Sequence, residues 1–150
     1  MKAFADTSFL FALYRQQHNS HLADALVARS RESIQTSSLV IYEFRQSARF
    51  QAFRHAKDRA AGFSKRVANQ MLAALQENID SGAIGVIPVE WPEVHSAAER
   101  LSAQYTVGGG HRALDILHVA TALLVEAEQL LTFDVNQSVL ARAAGLEVAP

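Results

Sequence analysis

The chain contains no cysteine. Disulfides and thiolate metal centres are therefore excluded, which fits a reducing compartment. A dominant charge is missing too. Fourteen Lys and Arg against fifteen Asp and Glu leave a formal net charge of −1. That rules out the global basic field by which many nucleic-acid binders announce themselves, so any phosphate-binding surface must be a local cluster. No run reaches the roughly 18 apolar residues of a membrane-spanning helix. The opening Met-Lys-Ala-Phe-Ala-Asp meets an acid by its sixth residue and has no apolar signal region. The expectation is a soluble, cytoplasmic protein with no membrane contact. Repeats, low-complexity stretches and linkers are absent as well, so residues 1–150 are expected to form a single domain. A chain of this length buries about 70% of its unfolded surface, and the 49% hydrophobic content suffices for one core.

What the sequence does have is a dense apolar stretch from Arg112 to Asp134. Between Ala113 and Ala127 almost every residue is apolar or a good helix former, with no proline or glycine. A helix apolar on all sides is a buried helix. Gly108-Gly109-Gly110 marks a flexible lead into it, and Leu130 to Phe133 reads as a short buried strand behind it. A helix of about 14 residues advances roughly 21 Å. A strand of about 5 residues returns roughly 17 Å. Asp115, in the helix's first turn, and Asp134, at the strand's end, therefore come to one edge of the fold.

Earlier segments repeat the alternation. Lys2 to Ala5 is a strand ending at Asp6, and Thr7 or Ser8 caps a helix. Asn19 or Ser20 caps a second helix. Ser33 to Thr36 is a strand, and Ser37 or Ser38 opens a helix running to about Phe53. A helical segment from about Asp58 to Ile79 carries Phe63, Val67, Met71 and Leu75 on one face, with Ser81-Gly82 ending it. Ile84 to Val89 is a strand, and Trp91 to Tyr105 a helix with Pro92 in its first turn. Val135 to Ala144 is a helix stopped by Gly145, and Leu146 to Ala149 a last strand. Strands alternating with helices predict an α/β fold with a short, mainly parallel sheet flanked by helices.

In such sheets ligands bind beyond the carboxyl ends of the strands. Asp6, Glu43, Asp115 and Asp134 all fall on that rim. Each has a plainer role: Asp6 and Asp134 as helix caps, Glu43 as a solvated helix residue, Asp115 as an acid favoured by the helix dipole. Together, four facing carboxylates repel one another. A hard divalent cation with oxygen ligands relieves that repulsion. Such a site can hydrolyse phosphodiesters.

The sequence Phe4-Ala5-Asp6-Thr7-Ser8, Glu43 after Ser37-Ser38-Leu39, Asp115-Ile116-Leu117-His118 in an apolar helix, and Leu131-Thr132-Phe133-Asp134 resembles the PIN-domain ribonucleases. Within them it is most similar to the toxins of VapBC-type toxin–antitoxin pairs. The likeness spans nearly the whole chain. It implies a single PIN-like domain and a Mg²⁺- or Mn²⁺-dependent endoribonuclease with Asp6, Glu43, Asp115 and Asp134 as its acids and metal ligands. It also implies a homodimer and an antitoxin that blocks the site. In one departure, Val135-Asn136-Gln137 stands where many relatives carry a further Asp or an aromatic.

Thr7, Ser8 and Thr132 neighbour the acids, where they either support a bound water or phosphate or simply make capping bonds. Arg112 points at the acidic rim, to grip a phosphate or to pair with an acid. His118 reads as a hydrogen-bonded core histidine before it reads as a catalytic base. His18 and His21 have no third ligand nearby and read as surface. The glycine triplet lacks the Lys-Ser/Thr of a phosphate loop.

Half of the Lys and Arg residues lie between Arg45 and Arg66, including Arg49, Arg54 and Lys57, interleaved with Phe50, Phe53 and Phe63. This segment suits RNA phosphates, a dimer seam or a partner peptide. Two other functions compete with the ribonuclease: a PIN-like module that binds RNA or protein without cutting, and a phosphatase of the haloacid-dehalogenase kind. The latter needs an Asp two residues after Asp6, where Ser8 stands.

Overall fold

A computed structural model of the chain describes residues 2–30 and 32–149. The chain enters through β1 (Ala3–Ala5), α1 (Thr7–Tyr14), α2 (Ser20–Arg29) and β2 (Ile34–Ser37). It continues through α3 (Ser38–Lys57), α4 (Lys65–Asp80), β3 (Ile84–Ile87) and α5 (Trp91–Gly109). It closes with α6 (Ala113–Leu124), β4 (Gln129–Leu131), α7 (Val135–Ala143) and β5 (Glu147–Ala149). The strands form one sheet in the order β3-β2-β1-β4-β5, with every pairing parallel.

A parallel sheet covered on both faces needs strands that are apolar throughout. The centre obeys: Phe4, Ala5, Leu130 and Leu131 are fully buried. β1 is the switch point, with β2 and β3 on one side and β4 and β5 on the other. Crevices form where the winding reverses in this way. Ala5 pairs with Leu131 at the strand ends, and the Asp6 N–H donates to the Leu131 carbonyl at 3.1 Å. The two chains therefore leave the sheet side by side, which brings Asp6 next to Thr132.

α6 is buried from Asp115 to Ala122 apart from half-buried Leu117, as its composition requires. It ends at Leu124 rather than near Ala127. Glu126, with φ of 55°, turns the chain into β4.

The expectations for residues 58–64 and for the glycine triplet are also corrected. The segment from Asp58 is not helical until Lys65. Gly62 sits at φ +60°, where a Cβ would lie 2.2 Å from the Gln51 carbonyl oxygen. Ser64 then caps α4 by accepting from the Val67 N–H, and Phe63 is buried ahead of the helix rather than on its face. The glycine triplet, for its part, closes α5 instead of leading loosely into α6. Gly110 is the left-handed C-cap at φ +65°, donating its N–H to the Thr106 carbonyl at 2.7 Å. Gly109 lacks the Cβ that would strike the His111 ring at 2.3 Å.

Candidate active site

The cap of α1 is Asp6 itself, not Thr7 or Ser8. Its Oδ1 accepts from the Phe9 N–H at 2.9 Å and from Ser8 Oγ at 2.8 Å. Its Oδ2 accepts from Thr132 Oγ1 at 2.6 Å and Gln137 Nε2 at 2.8 Å. With 3% of its surface exposed, the carboxyl has its pKa raised above 3.8 by burial. Bonds from Thr132, Phe9 and Ser8 and the charge of His118 oppose that rise without cancelling it. Ser8 and Thr132 also tie the strand ends together. Ser8 Oγ accepts from the Phe133 N–H at 2.8 Å, and Thr132 Oγ1 from the Asp134 N–H at 3.0 Å.

Asp134 caps α7, its Oδ1 accepting from the Gln137 N–H at 2.9 Å. Glu43 projects from the second turn of α3, which Ser37 caps. Its Oε2 accepts from Thr7 Oγ1 and lies 2.7 Å from His118 Nε2. Burial pushes the Glu43 pKa up, but the bonds from His118 and Thr7 and the charges of His118 and Arg112 outweigh it. The net shift is below 4.5, so the group is held ionised. His118 is buried, as a core histidine should be, yet its partner is one of the predicted acids. Its Nδ1 has no partner among the described residues.

Asp115 sits in the first turn of α6, 8% exposed. Arg112, the residue ahead of that helix, donates from Nε to Asp115 at 3.1 Å and from Nη2 to Asp134 at 3.4 Å. The charges of Asp115, Asp134 and Glu43 raise the Arg112 pKa further.

Asp6, Glu43, Asp115 and Asp134 thus line one cleft of ≈ 270 Å³ at the carboxyl edge of the sheet, with Thr7, Ser8, Arg112 and His118. A larger cavity of ≈ 590 Å³ lies at the start of β2 and β3, among Leu13, Tyr14, Ile34 and Ile84. Asp24 and Glu32 also line it, against four acids in the smaller cleft, and chemistry rather than volume marks the latter. The plain capping roles of Asp6 and Asp134 prove true of the same side chains that face the cleft, so the two readings were never exclusive.

Among the described residues no three His, Asp or Glu side chains stand together as a finished metal cage. The donor set nevertheless suits a hard divalent cation: it is made of carboxylate oxygens from four separate elements. Two of those carboxylates already share a cation, the Arg112 guanidinium.

Thr132 and Ser8 serve the site by fixing Asp6, and Thr7 by fixing Glu43. Gln137, Ser47 and Gln51 line the cleft but were not anticipated. Their spacing carried a signal. Gln137 stands three residues after the cap Asp134, the position from which a Gln in a capping box reaches back. Here it reaches across to Asp6 instead. Ser47 and Gln51 follow Glu43 by four and eight residues, on the same face of α3.

The basic cluster divides. Arg45 is occupied by Gln76 on α4 at 2.6 Å. Arg54 Nη1 lies 3.4 Å from the Gln51 side-chain oxygen. Phe50 and Phe53 stack at 5.9 Å, half exposed, with the Lys57 ammonium 5.8 Å from the Phe53 ring. Arg49, Phe53 and Lys65 border an apolar groove between α3 and α4. His18 and His21 lie at the surface.

The PIN domain family matches residues 3–144. The chain belongs to the PIN-domain family. Among solved structures it is similar to the Mycobacterium tuberculosis toxin VapC20, described as cleaving the sarcin–ricin loop. That match has 24% identity, covers 99% of each chain and reaches a TM-score of 0.66. FitAcB from Neisseria gonorrhoeae matches at 17% identity over 99% of this chain and 96% of its own, with a TM-score of 0.63. PAE2754 from Pyrobaculum aerophilum matches at 20% over 99% and 89%, with a TM-score of 0.61. At these identities the likeness is one of fold. No curated protein sequence matches the chain.

Proposed function

We propose that the chain is a Mg²⁺- or Mn²⁺-dependent endoribonuclease, the toxin of a type II toxin–antitoxin pair, working in the cytoplasm as a homodimer held in check by an antitoxin protein. The observation that carries this reading is the meeting of Asp6, Glu43, Asp115 and Asp134 in one cleft at the switch point of the sheet. VapC20, a toxin that acts on the sarcin–ricin loop, supports RNA as the substrate.

Asp6, Glu43, Asp115 and Asp134 would hold the divalent ion. When bound, the ion supplies an activated water and neutralises charge on the phosphate. The chain's own residues do the positioning. Ser8, Thr132 and Gln137 bond both oxygens of Asp6, so its carboxylate would meet the ion already oriented. Thr7 and His118 both bond Oε2 of Glu43. That leaves Oε1 of an ionised carboxylate to orient the attacking water and accept its proton. Arg112 lies at the mouth of the cleft, where the substrate's phosphate must enter.

A binding module that grips RNA or protein without cutting is the second reading. What favours it is Arg112, which already spans two of the acids. Cleavage of structured RNA by purified protein in Mg²⁺ or Mn²⁺, with and without EDTA, separates the two. The nuclease cuts and is stopped by the chelator. The module binds RNA and leaves it whole.

A further inference from the structure

We infer that Arg112 is an exchangeable cation of the site: it is shared by Asp115 and Asp134 when no metal is bound, and is released to grip the substrate's phosphate when a divalent ion takes those carboxylates. The inference rests on the nuclease reading and adds a role for one residue.

Three features of Arg112 carry it. First, it spans two acids from different elements, Asp115 in α6 and Asp134 ahead of α7, so it sits where an ion shared between them would sit. Second, it is loosely held. Its side chain is 73% exposed, and each acid receives one bond from it rather than a two-pronged grip. An exposed guanidinium needs no desolvation to leave, and exposed ion pairs of this kind are weak. Third, its side chain makes no other hydrogen bond or ion pair among the described residues. Arg112 occupies the N-cap position of α6 without making a side-chain cap bond, so moving it does not unravel the helix.

A divalent ion and a guanidinium compete for the same carboxylate lone pairs and repel each other. Ion binding therefore weakens the hold on Arg112. A released side chain, anchored at the cleft mouth, keeps a planar fork of donors that matches two phosphate oxygens. The acids lose one cation and gain another, and the freed cation meets the anion that arrives next. The consequence is unusual for an active-site arginine: removing it should help the metal and harm the reaction.

The test is titration of Mn²⁺ alone into the wild type, Arg112→Gln and Arg112→Lys by calorimetry, beside single-turnover RNA cleavage at saturating Mn²⁺. Arg112→Gln should bind Mn²⁺ about three- to tenfold more tightly, as loss of two weak competing ion pairs implies, yet cleave at least about tenfold more slowly. Arg112→Lys keeps the charge without the fork. It should return Mn²⁺ affinity towards the wild-type value and restore cleavage only in part. A purely structural arginine would lower both quantities together on substitution. Unchanged or weaker Mn²⁺ binding by Arg112→Gln, in a wild type that binds and cleaves, overturns this inference alone. Wild-type cleavage by Arg112→Gln does the same. A wild type that neither binds Mn²⁺ nor cleaves overturns it together with the nuclease reading.

Discussion

Gln137 is 1% exposed and gives its Nε2 to Oδ2 of Asp6 at 2.8 Å, so it is the residue by which the last helix supports the first acid. Replacing it with Met keeps the length and apolar stem and removes the donor. A hydrogen bond to a charged group contributes about 1.5–3 kcal/mol. Against that, burying an amide costs about 0.5–2 kcal/mol on a partly compensated scale, and Met is spared this. The net loss is about 1 kcal/mol, or about 2–4 °C in melting temperature for a domain of this size. The pH dependence is the sharper part. Asp6 already titrates above its ordinary 3.8 because it is buried. Folding therefore binds a proton there, and stability falls as pH rises through the folded pKa. The Gln137 bond favours the ionised form, so its loss pushes that pKa higher still. The gap between wild type and Gln137→Met should be full where pH lies well above the folded pKa of Asp6 and shrink through the range below it, as Asp6 takes up its proton. Thermal melts of both proteins across that range measure it. A gap that is absent, or equal at all pH values, would refute the reasoning and leave only a packing defect.

Asp115→Asn should change the stability of the metal-free protein by less than about 1 kcal/mol, because the acid it removes is paired with an exposed Arg112 rather than left bare. Mg²⁺ at a hundredfold excess over its dissociation constant should stabilise the wild type by about 2.7 kcal/mol and the variant by clearly less; melts with and without Mg²⁺ report both. Gly62→Ala combines a left-handed backbone with a Cβ 2.2 Å from the Gln51 carbonyl. Denaturant unfolding should show a loss of about 2–4 kcal/mol. Changing Arg49, Arg54 and Lys57 together to Ala should shallow the salt dependence of RNA binding by about 0.7 for each phosphate no longer neutralised, without moving the cut site. An unchanged slope with loss of the dimer or of antitoxin binding would assign this surface to protein instead.

The alternation of apolar strands and helices was enough to read the α/β class, because a buried parallel sheet demands it. Asp115 and Asp134 were brought together by the lengths of one helix and one strand alone. Boundaries were harder. At residues 58–64 the helical spacing of Phe63 and Val67 continued across a turn, since local periodicity does not register that Gly62 abuts a carbonyl eleven residues earlier. The glycine triplet was placed on the wrong side of its helix junction for a similar reason: a C-cap and a loose lead look alike until the His111 ring is seen against Gly109. The links from Gln137 to Asp6 and from His118 to Glu43 join residues far apart in the chain. Composition and spacing set the faces these side chains occupy, while only the packing of α7 and α6 against their neighbours selects their partners.

The most direct test of the central claim, that four carboxylates form one metal-dependent nucleolytic site, is cleavage of a single RNA at saturating Mn²⁺ by the wild type and by Asp6→Asn, Glu43→Gln, Asp115→Asn and Asp134→Asn. Each substitution should lower the rate by at least about a hundredfold in a protein whose melting shows it is folded, and EDTA should silence the wild type until Mn²⁺ is restored. Wild-type cleavage by any folded member of the four, or cleavage that persists in EDTA, would contradict it.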